Sequence, residues 1–182
     1  MKKANYFDTL EALALLADKS IRQVCMRSEQ TLTKNHWSEA LRLLCDCEKA
    51  LFSDFLPPLE RHSIAACAHA LCRVIHAAEQ LKKLPPPFSR EAEREPCLSL
   101  SDQLCREISL LRRVRKPSSI PKLCAFRDNL RCAEEAHGKM QKQIGTGRAF
   151  AGNPQVSANL SDLYHALSFA YDMLVEVMLM NI

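Results

Sequence analysis

The sequence predicts an all-α protein of six long helices, arranged as two successive three-helix units. Only 4 of the 182 residues are glycine, and all four lie between positions 138 and 152. Every other segment therefore lacks glycine, whose flexible backbone disfavours helices. The 9 prolines occur in clumps that divide the chain into about six segments. Within these segments apolar residues recur at the three- and four-residue spacing of amphipathic helices.

The first half of the chain divides into three predicted helices, at 4–32, 35–55 and 59–84. Asn35 or Ser38 can cap the second helix, because either side chain can accept a hydrogen bond from the N–H groups of a first turn. The first helix has an apolar stripe of six residues, which are Tyr6, Leu10, Leu13, Ala17, Ile21 and Val24.

The segment PPPFSREAEREP at 85–96 is charged and rich in proline, and it predicts an exposed linker near the midpoint of the chain. It separates a first three-helix repeat at 1–84 from a second at 97–182. We expect the two repeats to pack as one domain, since 182 residues suit a single core. The second repeat has predicted helices at 97–116, 120–144 and 156–181. The apolar stripe of the first of these is Leu100, Leu104, Ile108, Leu111 and Val114.

Composition indicates a soluble, cytoplasmic protein. Nine cysteines, an odd number, in a chain without a signal peptide favour reduced thiols over a disulfide framework. No apolar run approaches the roughly 20 residues that a membrane-spanning helix needs, so we expect membrane contact only through a partner protein. The formal charge of +4 is small and mixed in sign, which gives no reason to expect nucleic-acid binding.

Motifs for catalysis are missing from the sequence. It contains no G-x-S-x-G nucleophile elbow, no glycine-rich phosphate loop followed by lysine, and no H-E-x-x-H zinc motif. We therefore expect a binding protein rather than an enzyme. The apolar end of the last helix, residues 175–182, suggests a homodimer or partner interface, with burial inside the bundle as the equal alternative.

The segment WSEALRLLCDCEKALFSDFLPPLERHSI at 37–64 resembles the PhoU-like phosphate transport regulators. In that family a helix with an E-x-E-A-D-like motif leads into an F-I-T-P-x-x-R-x-D-I turn, and the corresponding turn here reads FLPPLERHSI. The opening NYFD at 5–8 and the closing LYHALSFAYDMLVEV at 163–177 are also similar to the family. The resemblance implies two three-helix repeats, a role in phosphate uptake beside an inorganic phosphate permease or a phosphate-signalling protein, and carboxylates that bind metal.

The metal-binding positions that the resemblance implies are substantially changed in this sequence. On the second helix they are occupied by Trp37 and Leu41, which cannot supply an oxygen ligand, with Glu39 between them. Side chains at i and i+4 share a helix face and can converge on one ion. The remaining candidate metal ligands are Cys72 and His76 on the third helix, Glu135 and His137 on the fifth, and Asp172 and Glu176 on the sixth.

Two interpretations of these candidate ligands stay open. Either the metal site is lost and the fold is kept for binding, or the candidates hold a softer divalent ion such as zinc or iron. Without metal, Cys72 would be a small buried hydrophobic residue, and the two histidines would be exposed or hydrogen-bonded. The alternative function is a metal-binding helical-bundle enzyme or a metal-storage protein.

Overall fold

The computed structural model describes residues 6–26, 35–53, 61–85, 87, 91–111, 128, 131, 132, 135 and 154–180. Across these residues the chain forms α-helices and no strand, so the all-α prediction is correct. The helices are α1 (Tyr6–Cys25), α2 (Trp37–Ser53), α3 (Arg61–Leu81), α4 (Glu91–Leu110) and α5 (Pro154–Met180).

The prediction of six helices is wrong, because the part of the chain that the structure describes contains five. The number six came from treating each segment between proline clumps as one helix. Proline and glycine mark where a helix can end, but they do not show that the residues between two such marks form one. Most of the predicted helix at 120–144 lies outside the described residues.

The start of α4 also differs from the prediction, since the helix begins at Glu91, inside the predicted linker 85–96, and includes Pro96. The sequence EAERE belongs to the segment 85–96, whose charges and prolines predict a linker. Glutamate, alanine and arginine are nevertheless strong helix formers, so a polar segment of this composition can begin a helix. The polar residues of this segment indicate that it is exposed, but they do not indicate that it is not helical.

Helices α1 and α2 are antiparallel neighbours. The Tyr6 hydroxyl donates a hydrogen bond to the Ala50 carbonyl oxygen at 2.9 Å, which joins the start of α1 to the end of α2. At the other end, the Ser20 hydroxyl lies 2.9 Å from Nδ1 of His36, just before α2. The apolar stripe predicted for α1 is confirmed, because all six of its residues are buried in the core.

Helix α3 lies at the centre of the bundle and packs against α1, α2 and α5. It runs antiparallel to α2. Nε2 of His69 lies 2.9 Å from Oε1 of Glu48, toward the end of α2, whereas the thiol of Cys72, later in α3, faces the carbonyl of Ala40 near the start of α2. Its long buried face joins the other helices in one hydrophobic core to which all five contribute. Because α3 is central, one of its faces forms the floor of a groove between α2, α3 and α5.

Helix α4 packs against α1 through polar contacts beside its buried apolar stripe. The Ser101 hydroxyl donates a hydrogen bond to Oδ1 of Asp18 at 3.0 Å. The Arg22 guanidinium donates to both Asp18 and Asp102, and these two carboxylates raise its pKa. Four of the five predicted stripe residues of α4 are buried, and the fifth, Val114, lies outside the described residues.

The last helix places part of the apolar C-terminal segment inside the bundle. Val177 and Met178 are buried, whereas the side chains from 179 onward lie outside the described residues. The homodimer therefore stays a prediction. Among the residues that the structure describes, no helix combines the length and the apolar character that crossing a bilayer requires.

Candidate functional site

A cavity of about 570 Å³ lies between α2, α3 and α5, and we call it the α2–α3–α5 groove. Its floor is one face of α3, where lining residues recur at the three- and four-residue spacing of a helix. The wall from α2 is apolar, and the wall from α5 is mainly polar. The lining residues are Trp37, Leu41 and Leu44 from α2, His69, Cys72, Arg73, His76, Ala77 and Gln80 from α3, and Asn159, Asp162 and Ala166 from α5.

Trp37 and His76 form one end of the groove. Asn35 caps α2 as predicted, because its side-chain oxygen accepts a 2.8 Å hydrogen bond from the Trp37 N–H. This cap fixes the first turn of α2 and with it the position of the indole. The Trp37 and His76 rings meet edge to face with centroids 4.7 Å apart, and Nε2 of Gln80 lies 3.4 Å from Nε2 of His76.

Arg73 supplies the positive charge of the groove. Its guanidinium carbon lies 4.9 Å from the centre of the Phe169 ring, a cation–π contact that orients the side chain across α3 toward α5. In the described part of the chain no carboxylate lies within ion-pair distance of this guanidinium, although Asp162 lines the same groove. The hydrogen-bond donors of Arg73 therefore face solvent at the rim.

The predicted metal ligands that the structure describes do not converge on one point. Asp172 and Glu176 are exposed on α5, and Glu135 is exposed with Oε1 3.8 Å from Nε of Arg131. His137 lies outside the described residues. Where the structure describes the chain, no group of three or more His, Cys, Asp or Glu side chains could hold a metal ion.

Cys72 and His76 are the predicted ligands that share the groove. Cys72 is buried, and its thiol donates a 3.7 Å hydrogen bond to the Ala40 carbonyl oxygen. Burial, with smaller contributions from Cys47 and Glu48, raises the pKa of the Cys72 thiol to about 12. Burial therefore disfavours the thiolate, which is the form in which a cysteine binds metal.

A buried polar network next to the groove was not predicted from the sequence. It joins α1, the residue before α2, and the end of α3 through Ser20, His36, Glu79 and Lys82, all of them buried. The Lys82 ammonium lies 2.5 Å from Oε1 of Glu79 and 2.6 Å from Oε1 of Gln23. The same Glu79 oxygen accepts a hydrogen bond of 3.1 Å from the His36 N–H. These contacts hold the start of α2, and so Trp37, against α1 and α3.

The position of His36 in this network lowers its pKa below the ordinary value of 6.5. Burial is the largest cause, because it disfavours the imidazolium, and the Lys82 ammonium acts in the same direction. Glu79 and Glu39 oppose this shift, and Lys19 adds weakly to it. The imidazole is therefore neutral in the folded protein at pH 7.

We expect the protein to lose stability as the pH falls below about 6.5, because the unfolded chain then binds a proton at His36 that the folded chain resists. The free energy of unfolding should be measured by urea denaturation between pH 7.5 and 5. His36→Gln should reduce this pH dependence, while His165→Gln, which changes an exposed residue of α5, should not. If the free energy of unfolding of His36→Gln depended on pH as steeply as that of the wild-type protein, His36 would not be the cause of the pH dependence.

Comparison with known proteins identifies the fold. No protein-family model and no curated protein matches the chain. A crystal structure described as a PhoU-like phosphate regulatory protein from Shewanella oneidensis MR-1 superposes with a TM-score of 0.54 at 10% identity, covering 95% of this chain and 91% of that one. The chain has a PhoU-like fold. A second crystal structure, of a PhoU-like protein from the same organism, gives a TM-score of 0.54 at 11% identity over 94% and 91% of the two chains.

The PhoU-like fold confirms the resemblance found in the sequence at the level of the backbone, since identities this low establish only the fold. Of the five positions that the resemblance matched on the second and third helices, Trp37, Leu41, Cys72 and His76 line the α2–α3–α5 groove, whereas Glu39 is exposed outside its lining. In this chain the four groove positions hold an indole, an isobutyl group, a thiol and one imidazole. The groove is therefore a mixed apolar and cationic surface instead of a carboxylate cluster.

Proposed function

We propose that this protein is a PhoU-like regulator of phosphate transport that acts in the cytoplasm by binding other proteins and not by catalysis. The likeness to a PhoU-like phosphate regulatory protein over 95% of the chain carries the proposal. The partner is an inorganic phosphate permease or a phosphate-signalling protein. Contact with the membrane is made only through that partner.

Exposed apolar side chains support a role in protein binding. Phe52, in the last turn of α2, is 90% exposed, and Leu15 on the outer face of α1 is 55% exposed. Leu41 on α2 and Phe169 on α5 are partly exposed. Single exposed apolar residues are common on protein surfaces, but several large ones on three helices offer contacts that a partner can bury.

We further propose that binding does not depend on a carboxylate metal cluster of the kind that the resemblance implies. Trp37 and Leu41 offer no oxygen ligand, and the Cys72 thiol is buried and hydrogen-bonded to a backbone carbonyl. Zinc and iron sites need several deprotonated or neutral donors around one point. These observations favour a scaffold that works without metal over the metal-storage or enzyme alternative.

Phosphate uptake in cells tests the proposed role. The rate of uptake of radioactive phosphate should change when the gene is deleted, and expression of the wild-type protein should restore it. The uptake of an unrelated anion, sulfate, serves as the control and should not respond. Identical phosphate uptake with and without the protein, under both phosphate-rich and phosphate-starved growth, would contradict a regulatory role.

A further inference from the structure

The α2–α3–α5 groove has the dimensions of a small-molecule site. Its volume of about 570 Å³ falls inside the range of roughly 300–1,000 Å³ that is typical of such sites. Along α3 the lining extends from His69 to Gln80, which at 1.5 Å per residue is about 16 Å. This space accommodates a compound of one to three rings.

The lining combines an apolar interior with a cation at the rim. Trp37, Leu41, Leu44, Ala77 and Ala166 supply apolar surface on both sides of the α3 floor. Because the indole is fixed by the cap and by the edge-to-face contact described above, it offers a flat, oriented surface for a ring. Ligand sites commonly combine apolar walls with a small number of placed polar groups.

Arg73 is suited to an anionic group. Its contact with the Phe169 ring uses no hydrogen-bond acceptor, so the guanidinium N–H groups can still donate to a carboxylate, sulfonate or phosphate ester. His69 is already engaged, since its Nε2 lies 2.9 Å from Glu48. Asp162 on the opposite wall and Arg73 are both exposed, so solvent screens the repulsion from Asp162 as well as the attraction by Arg73.

We propose that the α2–α3–α5 groove binds a small organic anion, whose apolar or aromatic body lies against Trp37 and whose anionic group pairs with Arg73. Inorganic phosphate fits this groove poorly, because a hydrated oxyanion requires several donors and gains nothing from the apolar wall. This ligand site goes beyond the proposed regulatory function and does not depend on it.

Trp37 provides a direct test, because it is the only tryptophan in the chain. The probe is 8-anilinonaphthalene-1-sulfonate, an aromatic sulfonate that absorbs where tryptophan emits. Titration into the full-length protein should quench Trp37 fluorescence and raise probe fluorescence with one saturable midpoint. Arg73→Gln should weaken this binding about tenfold, since it removes a charge-assisted hydrogen bond. Asp162→Asn should leave the affinity unchanged or raise it.

Arg42→Gln is the matched control. Arg42 lies on α2, outside the groove lining, and its guanidinium is 3.7 Å from the carboxylate of Asp46 with 66% of the side chain exposed. Its removal should leave the probe affinity unchanged. Circular dichroism should show equal thermal unfolding for both arginine variants, because both residues are exposed.

Three results would overturn the proposal. Probe fluorescence that rises without quenching of Trp37 would place the probe elsewhere on the protein. If Arg73→Gln and Arg42→Gln weakened probe binding equally, the probe would be responding to the net charge of the protein and not to Arg73. Full displacement of the probe by millimolar inorganic phosphate, but not by sulfate at the same ionic strength, would show that the site recognises the phosphate ion and not an organic body.

Discussion

Replacing Leu13 by alanine is expected to lower the free energy of unfolding by about 2–5 kcal/mol, the range measured for large-to-small changes in protein cores. Leu13 is fully buried in α1, and that helix packs against α2, α3 and α4. The change removes apolar surface and leaves a cavity that these three neighbours cannot easily fill. Equilibrium denaturation in urea, followed by circular dichroism at the helix band, measures the loss.

Leu15→Ala is the matched control, because it makes the same chemical change in the same helix two residues away. Leu15 is 55% exposed, so its replacement should alter stability by no more than about 0.5 kcal/mol. Helix propensity contributes equally to both variants, since leucine is replaced by alanine in each. Equal losses in the two variants would mean that α1 presents a different face to the core from the one described.

Glu79→Ala is expected to cost about 3–5 kcal/mol, because it removes the carboxylate that lies 2.5 Å from the buried Lys82 ammonium. The same oxygen also accepts the hydrogen bond from the His36 N–H, so the start of α2 loses an anchor. Unfolding in urea at pH 7.5 gives the loss in stability. Trp37 fluorescence should change as well, since Trp37 directly follows His36.

A solvent-accessible contact between α2 and α3 provides the comparison for Glu79. Oε1 of Glu48 lies 2.9 Å from Nε2 of His69, and 40% and 55% of the two side chains are exposed, so Glu48→Ala should cost no more than about 1 kcal/mol. Joint replacement of Glu79 and Lys82 by leucine and methionine should recover most of the loss, because no buried charge is then left behind. If Glu79→Ala were as mild as Glu48→Ala, the buried network would contribute little to stability.

Periodicity predicted the core more accurately than it predicted the helices themselves. The stripe from Tyr6 to Val24 was correct at every position because the apolar face of a single amphipathic helix is a local property of the sequence. Helix number and boundaries were less reliable. Proline and polar residues often mark a helix end, but α4 begins in the polar sequence EAERE and includes Pro96, so these residues alone do not fix the boundaries.

The groove could be predicted in part. The resemblance to the PhoU-like family implies Cys72 and His76 as metal ligands on the third helix, and the structure places both in the groove. The contact of Arg73 with Phe169 joins residues from α3 and α5, and no local pattern indicates which side chains meet across such a separation. Sequence reasoning therefore found the α3 floor but not the cation at its rim.

The buried network illustrates the same limit. Glu79 and Lys82 are three residues apart on a helix, a spacing that ordinarily indicates an exposed ion pair. Their burial depends on the residue before α2 and on the end of α1, which come from other parts of the chain. His36 falls inside the predicted helix at 35–55, and its local sequence gives no sign of a buried network.

The most direct test of the central claim is affinity capture of the tagged full-length protein from cross-linked, detergent-solubilised membranes of phosphate-starved cells, with quantitative mass spectrometry. The control is the Leu13→Ala variant under conditions where it is unfolded, because it differs from the wild-type protein at one residue but lacks the folded surface. The proposed function predicts that an inorganic phosphate permease or a phosphate-signalling protein is enriched with the wild-type protein and not with the control. Recovery of no phosphate transporter and no phosphate-signalling protein above the control would contradict it.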